Sequence, residues 1–175
     1  MKQTVIHVRP KRKLSDILFL GMSLVVILSG IILLMYGLYD LPDAIPMHFN
    51  NYGKSNGWNS KWLVLILPAI GFIVMYALEY IKQHPWFVTG WRVITKKNSQ
   101  HQFSLVVRLM SYFEFIFSIL FLVTAYDTLA VAIGGMSLFN GMGYAMLGAW
   151  VVIPCAVGFL LSILLYFVAS LLARD

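Results

Sequence analysis

Hydrophobic residues are concentrated in four long runs along the chain, separated by shorter polar segments. A membrane-spanning helix needs about 20 predominantly apolar residues, so each run is long enough to cross a bilayer. The pattern predicts an all-α integral membrane protein with four transmembrane helices arranged as two hairpins. The predicted spans lie at about residues 17–39, 62–81, 103–127 and 144–172.

The polar segments divide the chain into a basic tail, residues 1–14, and a four-helix membrane domain, residues 15–175, with an outer loop at residues 40–61. The first apolar run is longer than the core of a signal peptide, which is about 7–15 residues. We therefore expect an uncleaved helix, with Ser15 or Asp16 as its N-cap.

Composition agrees with lipid as the main solvent. The chain is 60% hydrophobic and 11% charged, with a mean hydropathy of +0.81, whereas soluble domains have about a quarter of their residues charged. The net charge of +6 does not indicate nucleic acid, because the basic residues cluster at the ends of the apolar runs.

Lysine and arginine are distributed unequally between the two predicted sides of the membrane. The tail holds five and the loop after the second span holds four, and Arg108 and Arg174 lie on the same side, whereas the opposite side has only Lys54 and Lys61. The positive-inside rule then predicts that both termini are cytoplasmic. The stretches 41–61 and 130–143 are predicted to face outward.

The two halves of the sequence share a possible repeat. In each half a span ends in a Tyr-Asp pair, the outer loop contains a Phe-Asn pair, and the next span begins with Trp. The first half has these features at Tyr39-Asp40, Phe49-Asn50 and Trp62, and the second half has them at Tyr126-Asp127, Phe139-Asn140 and Trp150. A genuine duplication would be a parallel repeat about an axis along the membrane normal. Chance agreement stays open, because the spacings differ and Trp is common in membrane helices.

The outer loop carries the longest polar motif of the chain. It reads Leu41-Pro42-Asp43-x-Ile45-Pro46-x-His48-Phe49-Asn50-x-x-Gly53, followed by Gly57-Trp58-x-Ser60-Lys61. The motif resembles the signature of the bacterial SdpI-like membrane family, a domain of unknown function. The segments His84-Pro85-Trp86-Phe87 and Ile94-Thr95-x-x-Asn98 are similar to a second short pattern of that family.

The resemblance covers about residues 15–110 and implies a protein of the bacterial inner membrane. For some members it implies immunity to, or sensing of, a membrane-active peptide, or related envelope signalling. Asn56 departs from the pattern, since an acidic residue is expected before the Gly-Trp pair. A role that depends on negative charge at this position is therefore not implied.

The residue types of the loop predict its shape. Two prolines fix φ and disfavour helix just before them, and glycines permit turns. Alternating Val and Ile residues are missing, so we expect a compact ordered loop without a sheet, with its aromatic rings at the membrane interface. The candidate residues for ligand contact or for the structure of the loop are Pro42, Asp43, Pro46, His48, Phe49, Asn50, Gly53, Gly57, Trp58 and Lys61.

His48 has three interpretations. It can hold the loop through hydrogen bonds to the backbone, it can contact a secreted peptide, or it can bind a metal together with Asp43. A zinc site needs three or four ligands, and one His with scattered carboxylates falls short of that number. No cofactor is predicted.

Three charged residues lie within the predicted spans, namely Glu79, Arg108 and Glu114. Glu79 and Arg108 both lie near the cytoplasmic side, so we expect them to pair. Glu114 is six residues from Arg108 and does not share its face of the helix. It is therefore either a protonated residue bonded within the bundle or a group that lines a cavity.

The connection after the second span, residues 82–104, combines basic residues with Trp86, Phe87 and Trp91. We expect it to lie against anionic lipid, with docking of a cytoplasmic regulator as the alternative. No catalytic motif is present, so no enzyme is predicted. The leading hypothesis is peptide immunity or sensing; the alternatives are a small transporter or channel component that uses Glu114, and a membrane protein with an extracellular metal site.

Overall fold

The computed structural model describes residues 9–49, 55–88, 94–132 and 153–172. A 3₁₀ turn at Lys61–Leu65 leads into the second helix, and another at Pro85–Phe87 follows it. The main elements are helices α1 (Leu14–Gly37), α2 (Ile66–Gln83), α3 (Ser99–Ala132) and α4 (Ile153–Leu172), and strands β1 (Ala44–Phe49) and β2 (Ser55–Ser60).

The prediction of four membrane-spanning segments is confirmed, because all four helices are long and apolar enough to cross a bilayer. Large apolar side chains on the outer faces of α1, α2 and α4 are exposed, including Val25, Ile73 and Leu164. In water this exposure would be costly, whereas lipid tails would cover such faces. The four long helices make the protein mostly helical, and together with their exposed apolar faces they indicate a multi-pass membrane protein.

The predicted start of α1 and both predicted ends of α3 are wrong. Helix α1 begins at Leu14 with Lys13 at the N-cap position, so neither Ser15 nor Asp16 is the N-cap. Asp16 instead accepts a hydrogen bond from the Lys13 backbone N–H at 2.8 Å, which satisfies a free donor from the first turn of the helix. Helix α3 extends beyond the predicted span at both ends.

Helix α3 is the centre of the bundle and packs against α1, α2 and α4. It runs in the same direction as α1, since Phe19 contacts Tyr112 edge-to-face at 5.1 Å between ring centroids, and Gly37 faces Leu129. Helix α1 thus packs mainly along α3 rather than along α2. The predicted arrangement as two hairpins is not confirmed by this packing.

Consecutive helices alternate in direction. Arg12, just before α1, reaches Glu79 near the end of α2. Ser170 near the end of α4 donates a hydrogen bond to the side chain of Gln102 near the start of α3 at 2.5 Å. We call the end of the bundle that holds these four residues the connection end. The opposite end, which carries β1 and β2, is called the hairpin end.

Phe121 of α3 sits between a glycine of α1 and a glycine of α2. A methyl group at Gly30 would lie 2.8 Å from Cε1 of the ring, and one at Gly71 would lie 3.2 Å from Cε2. Small residues of this kind let membrane helices approach closely. Because both sides of the ring are occupied, Phe121 has little room to move aside.

Gly30→Ala is expected to destabilise the bundle by about 1–3 kcal/mol, the usual cost of overpacking a well-filled site. Gly21→Ala is the matched control, because among the described residues nothing beyond its own helix backbone and chain neighbours lies within 4 Å of the added methyl group there. Thermal unfolding of both variants in detergent measures the difference. Equal stability of the two variants would contradict the packing of Phe121 between the glycines.

The outer loop forms a sheet, contrary to the expectation of a compact loop without one. Strands β1 and β2 pair antiparallel, with Ala44 opposite Ser60 and Ile45 opposite Asn59, and the register is irregular between Pro46 and Phe49. Ladder hydrogen bonds do not require an alternating apolar pattern, and Ile45 alone supplies the buried contact of β1 among the side chains described there. Of the predicted partner loop at residues 130–143, the first three residues belong to α3, and residues 133–143 lie outside the described residues.

Candidate functional site

The hairpin is seated on the hairpin end of the bundle by buried apolar side chains. Leu41, Ile45 and Val64 are buried in one cluster with Leu34 of α1 and Leu129 of α3. Ile45 has no exposed surface. Because one face of the hairpin is fixed in this way, the base of the loop has a defined position relative to α1 and α3.

Asp43 and Lys61 close the base of the hairpin. The Lys61 ammonium lies 3.2 Å from Asp43 Oδ1 and donates a hydrogen bond to the Leu41 carbonyl at 3.1 Å. The Lys61 backbone N–H donates to the Asp43 carbonyl at 3.0 Å. The Asp43 side chain is fully exposed, so its ion pair adds little stability. The base of the hairpin is therefore held together mainly by the backbone hydrogen bond from Lys61 to Asp43 and by the hydrogen bond from the Lys61 ammonium to the Leu41 carbonyl.

Five of the predicted site residues lie in the two paired strands, namely Pro46, His48, Phe49, Gly57 and Trp58. Gly57 pairs with His48, and Trp58 pairs with Pro46. Trp58 and Trp62 are 60% and 61% exposed, and the location of their rings at a membrane–water interface stays a prediction. Pro42, which precedes β1, is exposed as well.

Several parts of the predicted site fall outside the described residues. These are Asn50 and Gly53 together with the side chains of Pro46, His48 and Phe49. Within the described parts of the chain, no three His, Cys, Asp or Glu residues come together to hold a metal. Ligand contact by His48 and metal binding by His48 and Asp43 therefore stay predictions.

A second group of predicted residues forms an ion network inside the bundle. The Lys82 ammonium lies 2.5 Å from Glu114 Oε2 and 2.5 Å from Glu79 Oε1. The Arg12 guanidinium donates to Glu79 Oε2 at 2.6 Å. Two cations alternate with two carboxylates, so the network has no net formal charge.

The inner part of the network is sealed from solvent and lipid. The side chains of Lys82 and Glu114 are 1% and 0% exposed. The buried hydroxyls of Ser111 and Ser118 lie on the same side of α3, where they donate to the helix carbonyls of Val107 and Phe115. Within the described residues, Glu114 Oε1 has no hydrogen-bond partner, so its charge is balanced through Oε2 alone.

Two predictions about these charges are corrected. Glu79 pairs with Arg12 and Lys82 rather than with Arg108, because Arg108 lies on the face of α3 turned toward α4. Glu114 forms an ion pair with Lys82, a residue of another helix. The sequence pattern places Lys82 in the connection after the second span, whereas in the structure it belongs to the last turn of α2. In the sequence, the i, i+3 spacing of Glu79 and Lys82 is the feature that indicates an ion pair between these two residues.

The connection between α2 and α3 carries the second predicted motif. The His84 ring stacks on Tyr80 at 4.2 Å and lies 5.2 Å from Trp86 between ring centroids. Thr95 and Asn98 bond reciprocally, since the Thr95 N–H donates to Asn98 Oδ1 at 2.9 Å and the Asn98 N–H donates to Thr95 Oγ1 at 3.2 Å. This is a capping box in front of α3.

Comparison with known proteins points to the same part of the chain. A family model, the domain of unknown function DUF1648, matches residues 24–72. This segment runs from α1 through the hairpin into the first turns of α2. Searches of curated proteins and of solved structures gave no match.

Proposed function

We propose that the protein is a non-enzymatic, SdpI-like protein of the bacterial inner membrane that senses, or gives immunity to, a membrane-active peptide at its outer hairpin. Both termini and the basic connection lie in the cytoplasm in this proposal. The observation that carries it is the hairpin itself, a strand pair anchored on the bundle and bordered by exposed tryptophans.

The backbone of the hairpin supports peptide binding. Each strand of a two-stranded sheet has one edge whose N–H and C=O groups are not used by its partner. Strand β1 contacts α3, which leaves β2 as the strand on the other side of the pair. An extended peptide can add to such an edge through main-chain hydrogen bonds, and Trp58 offers it an aromatic surface.

The seat of the hairpin supports transmission of binding to the bundle. Ile45 is buried against the ends of α1 and α3, and α3 also carries Glu114, which is paired with Lys82 of α2. A peptide that moves β1 would therefore push on the helix that contacts every other span. The basic connection would be the cytoplasmic part that responds.

Survival of cells challenged with membrane-active peptides tests the proposal. The intact protein is expected to restore the tolerance that is lost on deletion. Trp58→Ala is expected to lower the tolerated peptide concentration by at least about tenfold, the effect of removing an aromatic hot spot. Trp62→Ala removes an equally exposed ring outside the strands and is expected to have little effect.

Unchanged survival on deletion, with His48→Ala equally silent, would contradict the proposal. The transporter or channel alternative gains no support from Glu114, because its side chain is fully buried and paired with Lys82. The extracellular metal site gains none from the described residues. The internal repeat stays a separate hypothesis.

A further inference from the structure

A groove of about 220 Å³ opens between α3 and α4. The two helices are held together on both sides of it, by the Gln102–Ser170 hydrogen bonds at one end and by a stack of Phe113 on Phe159 at 3.6 Å at the other. Between these contacts the helices leave a gap. Its lining includes Leu105, Arg108, Leu109 and Tyr112 of α3 and Ser162 and Leu165 of α4.

Arg108 is the one charged side chain among the described residues that line the groove. Charged side chains within membrane spans normally pair with another group or face the bundle interior. Among the described residues, Arg108 has no ion pair, and Glu79, its expected partner, is occupied by Arg12 and Lys82. The Ser162 hydroxyl already donates a hydrogen bond to the Gly158 carbonyl at 2.7 Å. The guanidinium is thus a cation in an apolar groove.

Arg108 lies in the part of α3 that is directed toward the connection end of the bundle. Arg108 precedes Glu114 by six residues, about 9 Å along a helix, in the direction of the connection end. Lys13 and Arg12 lie at the same end, before the first turn of α1. Arg108 therefore lies closer to the connection end of the bundle than Glu114 does.

We propose that this groove binds one anionic phospholipid from the leaflet at the connection end. The planar guanidinium of Arg108 pairs with the lipid phosphate, for which its paired donors are well matched. An acyl chain fills the gap along Leu105, Leu109 and Leu165. Leu165 is exposed, so the chain can enter sideways from the bilayer. Among the residues that the structure describes, the groove lining contains no acid to repel an anionic headgroup.

Native mass spectrometry of the full-length protein, released from nanodiscs of equal phosphatidylglycerol and phosphatidylcholine, tests the proposal. The wild-type protein is expected to retain one phosphatidylglycerol in preference to phosphatidylcholine. Arg108→Gln is expected to reduce this retention by at least about tenfold, the effect of losing a charged hydrogen bond. Leu165→Trp, which fills the groove without changing its charge, is expected to reduce it as well.

Lys97→Gln is the matched control, because it removes one exposed positive charge at the connection end without altering the groove. It is expected to retain the lipid as the wild type does. Equal losses in Lys97→Gln and Arg108→Gln would show diffuse attraction to the surface and overturn the proposal. Equal retention of both lipids by the wild type would overturn it too. If Arg108→Gln does not fold, undiminished retention by Leu165→Trp overturns it.

Discussion

Replacing Lys82 with methionine is expected to destabilise the bundle by about 3–5 kcal/mol, the usual cost of removing one partner of a buried ion pair. The Lys82 ammonium is the only cation within 4 Å of the Glu114 carboxylate among the described residues. Without it, Glu114 would be a buried carboxylate with no balancing charge, whereas Glu79 would keep Arg12. Thermal or denaturant unfolding in detergent micelles measures the loss.

Two further variants separate the ion pair from other effects of the substitution. Lys97→Met makes the same chemical change at an exposed position of the connection and is expected to change stability by less than about 0.5 kcal/mol. Lys82→Met combined with Glu114→Gln removes both charges, so it is expected to recover much of the stability. A double variant that loses as much stability as Lys82→Met and Glu114→Gln lose in total when made singly would contradict direct coupling between these residues.

The spans were predictable because a bilayer imposes a length and an apolar character that one sequence displays directly. The ion network was only half predictable. Glu79 and Glu114 stand out as acids in apolar runs, but Lys82 lies where α2 ends, and a hydropathy pattern assigns such residues to the adjoining loop. Arg12 lies before α1, and only the alternating directions of the helices bring it to Glu79.

The hairpin was missed for a different reason. Sequence patterns detect strands through alternating burial, and β2, Ser55–Ser60, consists of small and polar residues around Trp58. Its pairing with β1 is stabilised by backbone hydrogen bonds and by closure at Asp43 and Lys61, which no periodicity reveals. The role of the motif residues as a functional unit stays a prediction, and the conformation of their loop depends on contacts with α1 and α3.

Ile45→Ala is expected to release the hairpin from the bundle while the four helices stay folded. Ile45 is fully buried among the ends of α1 and α3, and truncation of a buried isoleucine costs about 2–5 kcal/mol. The loss falls on the local seat of β1, because Phe121, although part of the same core cluster, precedes Leu129 by eight residues, about 12 Å along α3. Hydrogen exchange is expected to become faster at the amides of β1 and β2 and to stay slow in the middle of α3.

The matched control is Ile66→Ala, the same truncation of a side chain that is exposed at the start of α2. It removes no buried contact and is expected to leave exchange in the hairpin unchanged. The pair also tests how the seat relates to the proposed function. If peptide tolerance depends on transmission from β1 to α3, Ile45→Ala lowers it although Trp58 is intact. Full tolerance with a released hairpin would mean that peptide capture alone protects the cell, and that the bundle serves only as its anchor.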